Sequence, residues 1–216
     1  MNIFLSLILV IIISTVDVQA NEGADELEAI QKHYDSVYTF RAHFIQHAYI
    51  KLMDQTQESS GIVAVKKPGK MRWTYNAPDP QILVSNSQTL WLYIPEENQV
   101  TKAMVDDIYT TNTPALFLSG KGKLTDTFRV SKINRDSGIL SVFLMPKLGN
   151  QDLKQLTLLV DDKNYQIVGS RVYDRLGNKT EILFSAIEVN VKLPDSLFEF
   201  EVPEGVDLLD TTIQPQ

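Results

Sequence analysis

A period of two in the apolar side chains runs through most of this chain from residue 38 onward. In the first such segment, Phe40, Ala42 and Phe44 alternate with Arg41 and His43. Successive side chains of a strand point to opposite faces, so this period predicts a β-strand. The same signal, bounded by turn residues, recurs at 61–67, 70–75, 81–84, 89–94, 99–104, 127–133, 139–144, 153–161, 166–173, 180–189 and 198–201. We therefore expect a large antiparallel meander, since strands do not alternate with helices as a parallel α/β fold requires.

Two short helices interrupt this pattern. Residues 25–36 carry Leu27, Ile30 and Tyr34 at spacings of three and four, which predicts an amphipathic helix. Residues 113–120 begin with a capping Thr and a Pro and end at Gly, which predicts a helix of about two turns. No segment has the composition of an interdomain linker. We expect residues 21–216 to form one domain, mainly β with short helices.

The first twenty residues differ in composition from the rest. An apolar run from residue 3 to 13 is followed by small residues and ends at Ala20. This arrangement is typical of a secretory signal peptide cleaved after Ala20, whereas a membrane-spanning helix needs about 20 apolar residues. The sequence therefore predicts export with residues 1–20 as signal peptide, and hence a periplasmic location.

Charge and cysteine content exclude several functions. The full chain carries a net charge of −7. Removal of residues 1–20 takes away one acid, Asp17, and leaves 26 acids against 20 bases. An acidic chain is a poor ligand for nucleic acid, whose binding depends on Lys and Arg. There is no cysteine, so the chain has no thiol nucleophile and no lipid-attachment residue. We expect a monomer that is free in its compartment.

The sequence offers no constellation typical of an enzyme. It has no Gly-x-Ser-x-Gly elbow, no phosphate-binding glycine loop and no His-Glu-x-x-His motif. The pair His43 and His47 would share a helix face, but on a strand it is separated by about 13 Å, which is too far to share one metal ion. We therefore expect neither catalysis, nor a metal site, nor a cofactor.

The informative feature is an excess of apolar side chains on antiparallel strands. Residues 81–84 and 90–94 are apolar on both faces, whereas such strands usually bury only one. A sandwich covered on both sides and an open barrel around a ligand cavity both explain this pattern. Periodicity alone does not separate these two interpretations.

The order and spacing of several short motifs resemble one family, the periplasmic outer-membrane lipoprotein carriers. The resemblance covers nearly all of the chain after residue 20. The motifs are Phe-Arg-Ala-His-Phe-Ile-Gln at 40–46, Val-Lys-Lys-Pro at 65–68, Met-Arg-Trp at 71–73, Ile-Leu-Val-Ser at 82–85, Thr-Leu-Trp-Leu-Tyr at 89–93, Asn-Thr-Pro at 112–114, Leu-Lys-Gln at 153–155 and Pro-Glu-Gly-Val at 203–206.

This resemblance implies an incomplete antiparallel β-barrel closed by a helical lid, with an apolar cavity for acyl chains. It places in the cavity Val63, Val65, Met71, Trp73, Tyr75 and Trp91. It places in the lid Leu27, Ile30, Leu116, Phe117 and Leu118. Lys67, where the family often has Arg, would contact the backbone of the lid when the lid is closed.

The resemblance also implies a function and partners. The protein would take acylated lipoproteins from an inner-membrane ABC transporter complex and deliver them to an outer-membrane lipoprotein receptor. That receptor shares the fold but is itself a lipoprotein, so the lack of cysteine favours the soluble carrier. Two alternatives stay open: a lipid- or lipoprotein-sensing module that regulates a partner without transferring cargo, and a lipid-cleaving hydrolase.

Overall fold

The computed structural model describes residues 16–105, 122–148 and 152–212, and their main element is one twelve-stranded sheet. The strands are β1 Thr39–Ile50, β2 Gln55–Lys66, β3 Lys70–Ala77, β4 Gln81–Asn86, β5 Thr89–Ile94, β6 Gln99–Met104, β7 Phe128–Asp136, β8 Ile139–Pro146, β9 Leu153–Asp161, β10 Ile167–Asp174, β11 Lys179–Val189 and β12 Asp207–Asp210. The prediction of a mainly β fold is confirmed.

The longest described helix precedes the sheet. Helix α1, Val16–Ser36, ends where the amphipathic pattern ends but begins earlier than residue 25, where the prediction placed its start. Helix α2, Leu124–Thr127, leads into β7, and 3₁₀ turns occur at Pro95–Glu97 and Asp195–Phe198. The helix predicted at 113–120 lies outside the described residues. Within the described ranges, no helix combines the length and apolar character needed to cross a membrane.

The strand order explains why the barrel is incomplete. The order is β12-β6-β5-β4-β3-β2-β1-β11-β10-β9-β8-β7, so two meanders are joined where β1 pairs with β11. Among the described strands, β12 pairs in parallel with β6 and every other pair is antiparallel. The outermost strands, β12 and β7, do not pair with each other, so the sheet is open as predicted.

Strand register divides the sheet into two faces. Ala42 lies opposite Val63, Val63 opposite Trp73, and Trp73 opposite Leu83, so these side chains share one face. We call this the inner face. The outer face carries the side chains between them, such as Ala64, which lies opposite Arg72.

Helix α1 packs against one half of the inner face. Leu27, Ile30 and Tyr34 form a buried cluster with apolar residues of β7 to β10, including Val142 and Leu158. Ion pairing between Glu26 and Arg135 fixes the helix to the end of β7. Residues at every third or fourth position of α1 thus face the sheet, as the amphipathic spacing predicted.

The C-terminal segment covers part of the outer face. Phe198 is fully buried with Ala64 and Leu193. Asp195 accepts hydrogen bonds from Lys66 and Lys70, and these bonds lower the pKa of its carboxyl group. The strand predicted at 198–201 is wrong: this segment packs through side chains across the sheet and pairs with none of the described strands.

Candidate lipid-binding face

Five of the six predicted cavity residues lie on the inner face. Val63, Val65, Met71 and Trp73 are buried, each no more than 1% exposed, and Tyr75 is half-buried. They alternate along β2 and β3 because the register of that hairpin sets Val63 opposite Trp73 and Val65 opposite Met71. The hairpin therefore contributes a continuous patch of bulky apolar side chains to one face.

Phenylalanines of neighbouring strands extend this patch. Phe44 on β1 contacts Trp73 and Tyr75 edge-on, with ring centroids 4.9 Å apart in both pairs. Phe40 contacts Phe184 of β11 in the same way at 5.3 Å. Edge-to-face packing favours a fixed arrangement of rings. Sequence reasoning omitted the phenylalanines from the cavity, although the alternation at 40–44 already placed two of them on one face.

Two polar groups lie within this aromatic cluster. The Tyr75 hydroxyl donates to Oε1 of Gln46 at 3.3 Å, and burial raises the pKa of Tyr75. The indole Nε1 of Trp73 is buried and has no hydrogen-bond partner among the residues that the structure describes. An unsatisfied buried donor costs about 1–3 kcal/mol. This N–H could therefore donate to a ligand carbonyl with little competition from the protein.

The sixth predicted residue, Trp91, does not belong to the cavity. It lies opposite Val84 on the outer face, and its ring packs near Phe200, with centroids 6.4 Å apart. The two-residue turn between Asn86 and Thr89 sets this register and turns Leu90 inward instead. The placement of Trp91 in the cavity was wrong because residues 90–94 are apolar on both faces.

The predicted lid residues are described only in part. Leu27 and Ile30 are buried where α1 packs on the inner face, as a covering helix requires. The other three, Leu116, Phe117 and Leu118, lie outside the described residues.

Lys67 contacts α1, the part of the predicted lid that is described. Its Nζ donates to the backbone carbonyl of Tyr34 near the end of the helix and lies 3.3 Å from the centre of the Tyr34 ring. Burial lowers the pKa of Lys67 to about 8, and the charge of Asp35 offsets part of that fall. Through this hydrogen bond Lys67 joins the last turn of α1 to the β2–β3 hairpin, although the net effect of burial is to disfavour its charged form.

A pocket lies beneath this end of α1. It is narrow, with a cavity volume of only about 20 Å³. Its lining is largely apolar and includes Tyr34, Val37, Phe40, Val65 and Ile167. This volume is far below that of a small-molecule site, about 300–1,000 Å³, so the pocket is nearly closed. Several acyl chains would fit only if α1 moved away from the sheet.

Movement of α1 should depend on pH through Lys67. We call the structure with α1 packed on the sheet the closed form, and in it the pKa of Lys67 is about 8. If α1 moves away, Lys67 becomes exposed, and an exposed lysine has a pKa of about 10.4. Raising the pH from about 7 to 10 should therefore favour the closed form. Acrylamide quenching of Trp73 fluorescence, measured in a Trp91→Phe background, should fall over this range.

Lys67→Arg provides the control for this pH dependence, because arginine stays charged throughout the range. Quenching in this variant should change little with pH. Quenching that rises with pH in the parent, or an equal change in Lys67→Arg, would contradict the role given to Lys67.

Fold and site together define a class of protein: an open antiparallel sheet with an apolar aromatic inner face under a helix. The family model for the outer membrane lipoprotein carrier protein LolA matches residues 35–201. The chain is 34% identical over 192 residues to the outer-membrane lipoprotein carrier protein of Azotobacter vinelandii, covering 88% of this chain and 90% of that protein. The corresponding protein of Hahella chejuensis is 34% identical over 208 residues, covering 95% and 97%. This chain belongs to the outer-membrane lipoprotein carrier protein family.

Solved structures support the fold. An uncharacterised conserved protein from Thermus thermophilus superposes with a TM-score of 0.56 at 11% identity, covering 88% of this chain and 99% of that one. At this identity the likeness establishes a shared fold only.

Proposed function

We propose that this protein carries lipoproteins to the outer membrane by holding their acyl chains against the inner face. Membership of the carrier family supports this function. The observation that carries the site assignment is the buried patch formed by Phe44, Val63, Val65, Met71 and Trp73 on one face of an open sheet. These side chains offer apolar contact and no reactive group, which suits reversible binding.

The energetics explain why a covering helix is needed. Each methylene group of an acyl chain loses about 0.8 kcal/mol when it leaves a membrane for water. A carrier must supply comparable apolar contact and still release its cargo. When contacts between the inner face and α1 are exchanged for contacts to acyl chains, the total free energy of apolar contact changes little. Binding and release can therefore both proceed. In the empty protein, α1 covers apolar surface that would otherwise favour aggregation.

The proposed route has two ends. An inner-membrane ABC transporter complex would load the protein, and an outer-membrane lipoprotein receptor would unload it. This route requires a periplasmic location, which the export signal at residues 1–20 would provide after cleavage at Ala20. Residues 21–216 would then act as a single domain. The sensing alternative is less favoured, because the relatives that cover nearly the whole chain are carriers by name.

A photocrosslinking experiment tests the assignment of the inner face. Leu83 and Ile82 are neighbours on β4, both half-buried, and their side chains lie on opposite faces. With p-benzoylphenylalanine at position 83, we expect crosslinks to the acyl chains of a bound lipoprotein, located by mass spectrometry. The same group at position 82 should give almost none, because it faces away from the cavity.

The same lipoprotein with its acylated cysteine replaced by serine is the cargo control. It should not crosslink from either position. Equal crosslinking from positions 82 and 83, or crosslinking that does not require acylation, would exclude the inner face as the acyl-chain site.

A further inference from the structure

Large apolar side chains project into solvent at one end of the sheet. Leu52 is 93% exposed, Leu148 86%, Leu176 79% and Met53 60%. Leu52 and Met53 lie on the β1–β2 turn, Leu176 lies on the β10–β11 turn, and Leu148 lies just after the end of β8. None of them belongs to a buried cluster of the described residues. We call these four residues the apolar rim. Single exposed leucines are common on proteins, but a group on adjacent turns indicates a contact surface.

Hydrogen bonds place the three turns side by side. The backbone N–H of Lys51 donates to Oδ1 of Asn178 at 3.0 Å, which joins the β1–β2 and β10–β11 turns. The backbone N–H of Arg175 donates to the carbonyl of Asp152 at 3.0 Å, which joins the β10–β11 and β8–β9 turns. The rim residues therefore project from one end of the sheet on turns that hold one another in place.

The charge around the rim is opposite in sign to that of the whole chain. Across 50–55, 146–154 and 174–179 there are five bases and three acids, although the full chain has a net charge of −7. Two of the acids serve the turns themselves. Asp54 accepts from the Tyr49 hydroxyl, and Asp174 accepts from the backbone N–H groups of Gly177 and Asn178. The bases are Lys51, Lys147, Lys154, Arg175 and Lys179. Of these, Lys147 donates to the carbonyl of Thr125, and Lys179 lies 4.0 Å from Glu181.

Apolar tips among basic side chains suit the surface of an anionic bilayer. Leucine and methionine can enter the boundary between headgroups and acyl chains, while lysine and arginine contact phosphate groups. The side chains of the apolar rim stand on separate turns. The surface of a fluid bilayer can adapt to each of them, so no complementary shape is needed.

The inner face also becomes less covered toward the rim. Along β1, Ala42 and Phe44 are buried, whereas Gln46, Ala48 and Ile50 on the same face are half-buried. The strand thus runs from the aromatic cluster to the turn that carries Leu52. A membrane in contact with the rim would lie at this less covered end of the acyl-chain site.

We propose that the apolar rim is a membrane-contact site through which the protein docks transiently on anionic phospholipid. This inference rests on the proposed function for its purpose, but its test uses protein without cargo. The processed protein, purified after export, is mixed with vesicles of phosphatidylethanolamine and phosphatidylglycerol, and bound protein is measured by flotation. We expect measurable binding that weakens with added salt and with phosphatidylcholine vesicles.

Replacement of Leu52, Met53 and Leu176 together by serine should lower the vesicle-bound fraction about tenfold, since the exposed side chains supply the apolar contact. The matched control replaces Leu208 and Leu209 on β12, which are 48% and 51% exposed, by serine and should leave binding unchanged. All five positions are exposed, so neither variant should lose its fold.

Equal vesicle binding by the rim variant and the parent, or no binding by the parent, would overturn the proposal. If the parent binds no vesicles but the rim variant fails to take lipoprotein from inner membranes, the rim contacts a protein and the membrane assignment is wrong. Failure of the carrier function would give a different result, namely intact vesicle binding by a protein that carries no lipoprotein.

Discussion

The Trp73→Glu variant should form no soluble complex with an acylated lipoprotein. Trp73 is 1% exposed at the centre of the inner face, where its ring contacts Phe44. A carboxylate at this position would stand among acyl chains without a partner, which costs several kcal/mol or forces protonation. We expect affinity for the lipoprotein to fall by at least about a hundredfold, since about 2.7 kcal/mol corresponds to that factor. Gel filtration with labelled lipoprotein measures the complex.

Trp91→Glu is the matched control for this substitution. Trp91 is half-buried on the outer face beside Phe200, so the same change leaves the acyl-chain site intact. Circular dichroism establishes that each variant is folded. Tyr75→Glu, at a half-buried position of the inner face, gives a second test if Trp73→Glu does not fold. Equal loss of binding in the inner-face and outer-face variants would contradict the assignment.

The Gly61→Ala variant should be destabilised by roughly 2 to 3 kcal/mol, because no space exists for a methyl group. A Cβ at this position would overlap the backbone carbonyl oxygen of Thr74 and lie 3.0 Å from the Phe44 ring. The register of β2 against β3 shifts between Ser60 and Gly61, and the close approach occurs at this irregularity. A backbone carbonyl within a sheet cannot move without loss of strand pairing. Urea unfolding monitored by circular dichroism measures the change.

Gly23→Ala is the control for a glycine in a tolerant place. Its new Cβ would lie 3.2 Å from Cγ1 and 3.3 Å from Cβ of Val130, a contact that a shift of the helix by a few tenths of an ångström relieves. Alanine also favours a helix by about 1 kcal/mol over glycine. We expect little change or a small gain in stability. A Gly61→Ala variant as stable as the parent would show that the approach of β2 to β3 is not tight.

Much of the fold could be predicted from the sequence because alternation is a local signal. Most strands from β1 to β11 agree closely with the predicted ranges, and α1 ends at the predicted residue. The exception is β2, which begins at Gln55, six residues before the predicted start at Gly61, because its first residues are polar and do not alternate. Strand β12 was not expected, because Asp207–Asp210 has only four residues and pairs in parallel with a distant strand. The alternating pattern at 198–201 predicts a strand that does not form, because alternation does not reveal whether a partner strand exists.

The candidate site was predictable where one face of a strand differs clearly from the other. On β3, Met71 and Trp73 alternate with the basic and polar side chains Arg72 and Thr74, so their shared face was evident. On β5 both faces are apolar, and the side on which Trp91 lies depends on the register of the β4–β5 hairpin. Register depends on turn geometry and pairing across strands, which alternation does not specify.

Release of a labelled lipoprotein from spheroplasts tests the central claim most directly. Spheroplasts that retain newly made lipoprotein in the inner membrane are incubated with the processed protein, its Trp73→Glu variant or buffer. We predict that the parent protein alone releases the lipoprotein, as a soluble complex of one protein with one lipoprotein. If the lipoprotein stays in the membrane with the parent protein, or is released equally by Trp73→Glu, the protein does not carry acyl chains on its inner face.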